Sequence, residues 1–225
     1  YRANAFQVYP AVDRYCVSHA WTAADLAAAG VLPDRVTVTG IPLRAQFDAV
    51  LDRAEAKRVL GLPSHRPLIL LTRGGMAAGK ETVALLKELL AAPALRHAHV
   101  VAILGSRERG PRLVRRDLEP DRRLRAEGFV ENMATYLAAS DIVVGKAGGL
   151  SSTEAFAAGR PLVVFAPSEG VETANVRRFS AAGAAVDAGR SPSRAVVETA
   201  KLLRDPMRAL ALAAAGRTLL TPQSR

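Results

Sequence analysis

Residues 141–165, DIVVGKAGGLSSTEAFAAGRPLVVF, run a short apolar segment into Gly148-Gly149 and then into Ser151, Ser152 and Glu154 at the head of a helical pattern. Backbone amides and a hydroxyl at a helix N-terminus, where the macrodipole is positive, make a seat for an anion. The same letters also spell a capping box, with Ser151 as N-cap and Glu154 reaching back to an amide. These residues alone leave the two readings level, and electrostatics offers a way to separate them. A carboxylate facing a bound diphosphate would repel it, so under the anion reading Glu154 turns aside and accepts hydroxyl donors, of which a ribose supplies two.

Two more stretches carry residues of this kind. In TRGGMAAGK, residues 72–80, Gly74, Gly75 and Gly79 let backbone amides approach a phosphate closely. Lys80 is not followed by Ser or Thr, so this is no Walker loop, and the dinucleotide fingerprint is absent too. A bare turn is the alternative. In SEGVETAN, residues 168–175, Glu172 and Asn175 lie three apart and share a helix face from which they can grip hydroxyls. Ordinary acidity at a helix start is the plain reading of the same residues. His19, His65, His97 and His99 form no His/Cys cluster with zinc spacing, so no metal is expected. There is no nucleophile elbow, and no Ser or Cys near a plausible His partner.

The elements that must position these residues follow from hydropathy. Four unbroken apolar runs, PLILLT (67–72), HVVAILG (99–105), DIVVG (141–145) and PLVVFAP (161–167), fit strands buried on both faces of a parallel sheet. Helical stretches such as KETVALLKELLAA separate them, and AAV (184–186) reads as a further strand. The alternation predicts an α/β fold with a doubly wound parallel sheet, Rossmann-like. Ahead of it, VDRYCVS, AWTAADLAAAG and RVTVTGIP read as strand, helix and strand, and the first of these strands, which holds the single Cys16, is expected to be buried. After Pro206 the chain reads as a final amphipathic helix.

Composition narrows the function classes. The chain has 225 residues, 49% apolar and only 5% aromatic, enough for a sizeable core. One cysteine excludes a disulfide framework and points to a reducing cytosol. No apolar run approaches the roughly 20 residues that span a bilayer, and no signal peptide is read at the start. The net charge is +10, and eight arginines fall within residues 107–125. No aromatic interleaves with them, which disfavours nucleic acid as a partner. A solvated helix face or attraction to anionic lipid head groups remains.

Taken in order, GFVENM (128–133), the 141–165 stretch, EGVETAN and GAAV resemble the C-terminal nucleotide-sugar half of two-domain GT-B glycosyltransferases. That group includes monogalactosyldiacylglycerol synthase, the processive diacylglycerol glucosyltransferases and the GlcNAc transferase that makes lipid II. The resemblance covers residues 12–186. It implies the end of an N-terminal domain and a crossover over residues 1–42, a donor-binding domain over 43–205, and a C-terminal helix over 206–225. It also implies that backbone groups of Phe129 and Val130 read a uracil edge, with Met133 packing nearby. Gly149, Leu150 and Ser151 hold a diphosphate with Gly74, Gly75 and Met76; Glu154 takes the ribose; Glu172 and Asn175 contact the hexose.

The activity so implied is inverting, metal-free transfer from a UDP-hexose to a lipid hydroxyl of diacylglycerol type, by a bacterial enzyme in the cytoplasm at the inner face of the membrane. The acceptor site and the general base belong to an N-terminal domain this chain lacks, so the chain alone is expected to bind UDP without transferring sugar. Two departures from the pattern stand out. Val171 occupies the place where the family commonly has Gln, and Gly105-Ser106-Arg107 stands where glycolipid members tend to have Gly-Arg-Asn. The alternatives are a UDP-sugar-binding regulatory module and a UDP-GlcNAc 2-epimerase-like enzyme; a nicotinamide oxidoreductase lacks its fingerprint.

Overall fold

The computed structural model describes residues 3, 7–73, 79–105, 108–118 and 120–221. It opens with β1 (Tyr15–Val17), α1 (Ala20–Ala28) and β2 (Val36–Val38), in which the two strands pair in parallel with Tyr15 opposite Val36. Val17, Leu26 and Val31 form the small core of this unit. Arg178 ties it to the rest of the chain through two hydrogen bonds to Asp25, at 2.6 and 3.0 Å, while its guanidinium lies 5.8 Å from the Trp21 ring.

The larger unit is built from α2 (Arg53–Val59), β3 (Leu68–Thr72), α3 (Lys80–Ala91), β4 (His99–Ile103), α4 (Arg109–Asp117), β5 (Leu124–Glu127) and α5 (Met133–Ala139). It continues with β6 (Ile142–Gly145), α6 (Gly149–Ala157), β7 (Leu162–Val164), α7 (Val171–Ala181), β8 (Ala185–Asp187), α8 (Pro192–Arg204) and α9 (Pro206–Thr218). The six strands lie in the order β5-β4-β3-β6-β7-β8, and every pairing is parallel. Alternate residues of the central strand feed two cores. Leu68 and Leu70 pack with Phe156 and Phe179 on one face, Ile69 and Leu71 with Leu85 and Leu86 on the other. Burial on both faces is why these strands read as unbroken apolar runs.

From β3 the chain winds one way through β4 and β5, then crosses back to wind the other way through β6, β7 and β8. Crossovers therefore diverge between β3 and β6, leaving a crevice at the carboxyl ends of these two strands. Gly145, at the end of β6, is fixed by that neighbourhood, because a Cβ there would stand 2.7 Å from the Thr72 hydroxyl of β3.

Two expectations from the sequence are corrected. The arginine-rich stretch is not one helix face: α4 ends at Asp117, and Leu124–Glu127 is an edge strand beside β4. Arg123 donates to Asp121 and to the Leu90 carbonyl, and Arg125 to Glu127 and the Leu60 carbonyl. These two charges serve as structural ties. Cys16 is exposed, because β1 belongs to a two-stranded sheet and Tyr15 and Val17 pack on its small core while Cys16 points to the opposite face.

Candidate functional site

A cavity of about 380 Å³ opens at the carboxyl edge of the sheet. Its walls come from the ends of β3, β4 and β6, the loop after β5, and the first turns of α5, α6 and α7. Arg44, in the segment joining the two units, also lines it. The fold thus brings Phe129, Val130, Met133, Gly149, Leu150, Ser151, Glu154 and Glu172 to one cavity. Gly74, Gly75 and Met76 lie outside the described residues.

The N-terminus of α6 differs from the capping box that its letters suggest. Gly148 is the N-cap, extended at φ −70°, ψ 147°, and among the described residues no side chain caps the helix. Ser151 is the third helical residue and its hydroxyl points back to the Gly148 carbonyl at 3.5 Å. The helix starts early because Gly149 serves as its first residue, so Glu154 falls a full turn too late to reach the cap. First-turn amides without a side-chain acceptor, on a positive dipole end, are what an anion needs.

Glu154 stands one turn along the same helix, half-buried in the cavity wall, and no hydrogen bond from another described residue reaches its carboxylate. Burial raises its carboxyl above the usual range, and the nearby Arg44 opposes that rise. Such a carboxylate is a desolvated hydrogen-bond acceptor facing the cavity.

Glu172 lies in the first turn of α7. Its Oε2 accepts the backbone N–H of Ser168 at 2.6 Å and stands 3.8 Å from Lys146 Nζ, which itself donates to the Ser168 hydroxyl at 2.7 Å. The helix starts abruptly because Gly170 adopts φ +84°, a conformation that favours glycine. Asn175 is one turn deeper, only 1% exposed, and is not among the residues lining the cavity. Its Nδ2 donates to the Ala147 carbonyl at 2.9 Å, so it supports the turn that leads into Gly148. Its Oδ1 is buried without a hydrogen-bond partner among the described residues.

Three cations at the cavity were missed from sequence: Arg44, Arg73 and Lys146. A shared signal was present, since each sits beside a Gly or Pro motif at the end of a strand or crossover: GIPLR, LLTRGG and GKAGG. Arg73 is 7% exposed and spends its guanidinium on carbonyls of the β7–α7 turn. Among the described residues no three His, Cys, Asp or Glu side chains group as metal ligands, and no helix is long and apolar enough to cross a membrane.

A doubly wound parallel sheet with this cavity at its switch point is one half of the GT-B architecture. The chain belongs to glycosyltransferase family 28, matching the model of that family's C-terminal domain over residues 69–214. It is 31% identical over 182 residues to a processive diacylglycerol β-glucosyltransferase of Bacillus pumilus, covering 80% of this chain and 46% of that protein. The chain therefore spans just under half the length of the curated relatives it matches. Staphylococcus aureus MnaA, in its UDP co-structure, shares the fold with a TM-score of 0.73 at 15% identity, over 94% of this chain and 57% of that one. The UDP-GlcNAc 2-epimerase of Neisseria meningitidis, bound to UDP-GlcNAc, does so with a TM-score of 0.67 at 16% identity, over 92% of this chain and 60% of that one. At these identities the likeness is one of fold.

Proposed function

We propose that the chain is the donor-binding half of an inverting transferase that moves a hexose from UDP to a diacylglycerol-like hydroxyl at a membrane surface. The observation that carries this reading is the start of α6, which no described side chain caps and which opens onto the same cavity as Glu154, whose carboxylate accepts no hydrogen bond from another described residue.

The diphosphate sits on the amides of Gly149, Leu150 and Ser151, helped by Gly74, Gly75 and Met76. Glu154 accepts the ribose hydroxyls. Backbone groups of Phe129 and Val130 meet the uracil beside Met133, and Glu172 and Asn175 serve the hexose, Asn175 by way of the Ala147 turn it supports. As the anomeric C–O bond to the diphosphate breaks, negative charge grows on the departing oxygen. Fixed amides, the helix dipole and the cations Lys146 and Arg44 stabilise it without a metal ion. The acceptor oxygen attacks from the opposite face and gives its proton to a base outside this chain, so the sugar is inverted and UDP leaves.

Membership of family 28 and the glucosyltransferase relative support transfer over epimerisation, which rests on likeness of fold alone. The test is a product assay with the whole protein, this chain joined to its N-terminal half, given UDP-glucose, UDP-galactose or UDP-GlcNAc and diacylglycerol vesicles. An inverted glycolipid and free UDP are expected, and the chain alone should make none. Conversion of UDP-GlcNAc to its 2-epimer, or binding without turnover, would contradict the proposal.

A further inference from the structure

Phe165, Ala166 and Pro167 form the turn that leaves β7 toward α7, and two arginines from distant parts of the chain take all three of their carbonyls. Arg73 donates through Nη1 to the Phe165 carbonyl at 3.0 Å and to the Ala166 carbonyl at 3.5 Å. Arg190 donates through Nη2 to the Pro167 carbonyl at 3.1 Å. One carboxylate joins the two arginines, with Glu81 Oε1 2.6 Å from Arg190 Nη1 and its Oε2 3.5 Å from Arg73 Nη2.

The turn needs such restraint. Ala166 has φ +46°, and it alone among the described non-glycine residues has a positive φ. A side-chain-bearing residue holds that conformation only where its surroundings impose it. Burying a guanidinium is costly unless its protons are satisfied. Here the acceptors are the strained turn and Glu81, and the Arg73 guanidinium also lies 5.7 Å from the centre of the buried Phe165 ring. The next residue is Ser168, whose N–H fixes Glu172 and whose hydroxyl receives Lys146. Arg73 directly follows β3 and Glu81 lies in the first turn of α3, so the clamp ties that side of the crevice to the loop carrying Glu172.

We propose that Arg73, Glu81 and Arg190 are positioning residues that aim the hexose end of the donor site while leaving the nucleotide end to α6 and the loop after β5. The proposal rests on the donor reading above. It makes the clamp a determinant of sugar affinity rather than of UDP affinity.

Calorimetric titration of the chain and its Arg190→Met and Glu81→Gln variants with UDP, UDP-glucose, UDP-galactose and UDP-GlcNAc tests this; Arg190 belongs to the clamp without lining the donor cavity. The UDP dissociation constant is expected to stay within about threefold, while affinity for the best UDP-hexose falls about tenfold in Arg190→Met and about threefold in Glu81→Gln. Hydrogen exchange should quicken at the amides of residues 168–172 in both variants and stay unchanged in β3 and β6. Equal weakening of UDP and UDP-hexose, or no weakening of either, overturns the proposal. If the parent chain binds neither nucleotide, the donor reading fails, and unchanged exchange at 168–172 then overturns the clamp separately. The Arg190 and Glu81 side chains are each about half exposed, so Glu81→Gln carries the test should Arg190→Met not fold.

Discussion

Glu172 commits one carboxylate oxygen to its own loop, accepting the Ser168 N–H at 2.6 Å, while its Oε1 lies 3.8 Å from where a Gly148 side chain would begin. One oxygen holds the loop and the other faces the turn before α6. Glu172→Gln keeps the shape but replaces a charged acceptor with a neutral amide. UDP-hexose affinity is expected to fall about tenfold with UDP affinity nearly unchanged, as read by calorimetry with both ligands. Equal losses for the two would place Glu172 on the nucleotide instead.

Glu154 gives a pH dependence whose sign follows from burial. Its folded carboxyl is raised, so the folded chain holds that proton to higher pH than the unfolded chain does. Below the ordinary carboxylate value of about 4 both states are protonated and the residue contributes no slope. As pH rises through the raised folded value, ionisation in a desolvated site lowers stability. Glu154→Gln should therefore be more stable than the parent at neutral pH and equal to it in acid, as seen in chemical denaturation curves. UDP affinity should fall about tenfold in the same variant, since ribose hydroxyls lose a charged acceptor.

Gly216 tests how α9 is seated. A Cβ there would stand 2.5 Å from Phe156 Cδ1, and that ring is fully buried against Phe179. Alanine gains about 1 kcal/mol of helix propensity over glycine, but overpacking a core costs about 1–3 kcal/mol. The ring has nowhere to move, so Gly216→Ala should be destabilised by up to about 2 kcal/mol, with a lower Tm in calorimetry.

Arg178 and Asp25 join the two units through a half-buried two-bond pair beside Trp21. Arg178→Met is expected to cost about 1–3 kcal/mol, because Asp25 loses a charged partner. Hydrogen exchange should quicken in β1 and β2 and remain slow in β3 and β6.

Legibility from sequence tracked burial. The LILLT and HVVAI strands were readable because helices cover both of their faces, and the Rossmann-like class followed from their spacing. The LRAE strand was hidden because it is an edge whose Arg125 is tied by tertiary structure to the Leu60 carbonyl and to Glu127. At α6 the letters favoured Ser151 as cap, and backbone geometry at Gly148 decided otherwise. Asn175 shares a helical face with Glu172, but periodicity carries no depth, so its place beneath the Ala147 turn was invisible. The Arg73 clamp joins residues 92 and 93 positions apart, which no local pattern records.

The central claim is that the α6 start and Glu154 form a nucleotide diphosphate site, and titrating UDP into the chain in a calorimeter tests it most directly. Saturable one-to-one binding is expected, about tenfold weaker in Glu154→Gln. A folded chain, verified by circular dichroism, that gives no binding heat at millimolar UDP and no ligand-induced rise in Tm would contradict it.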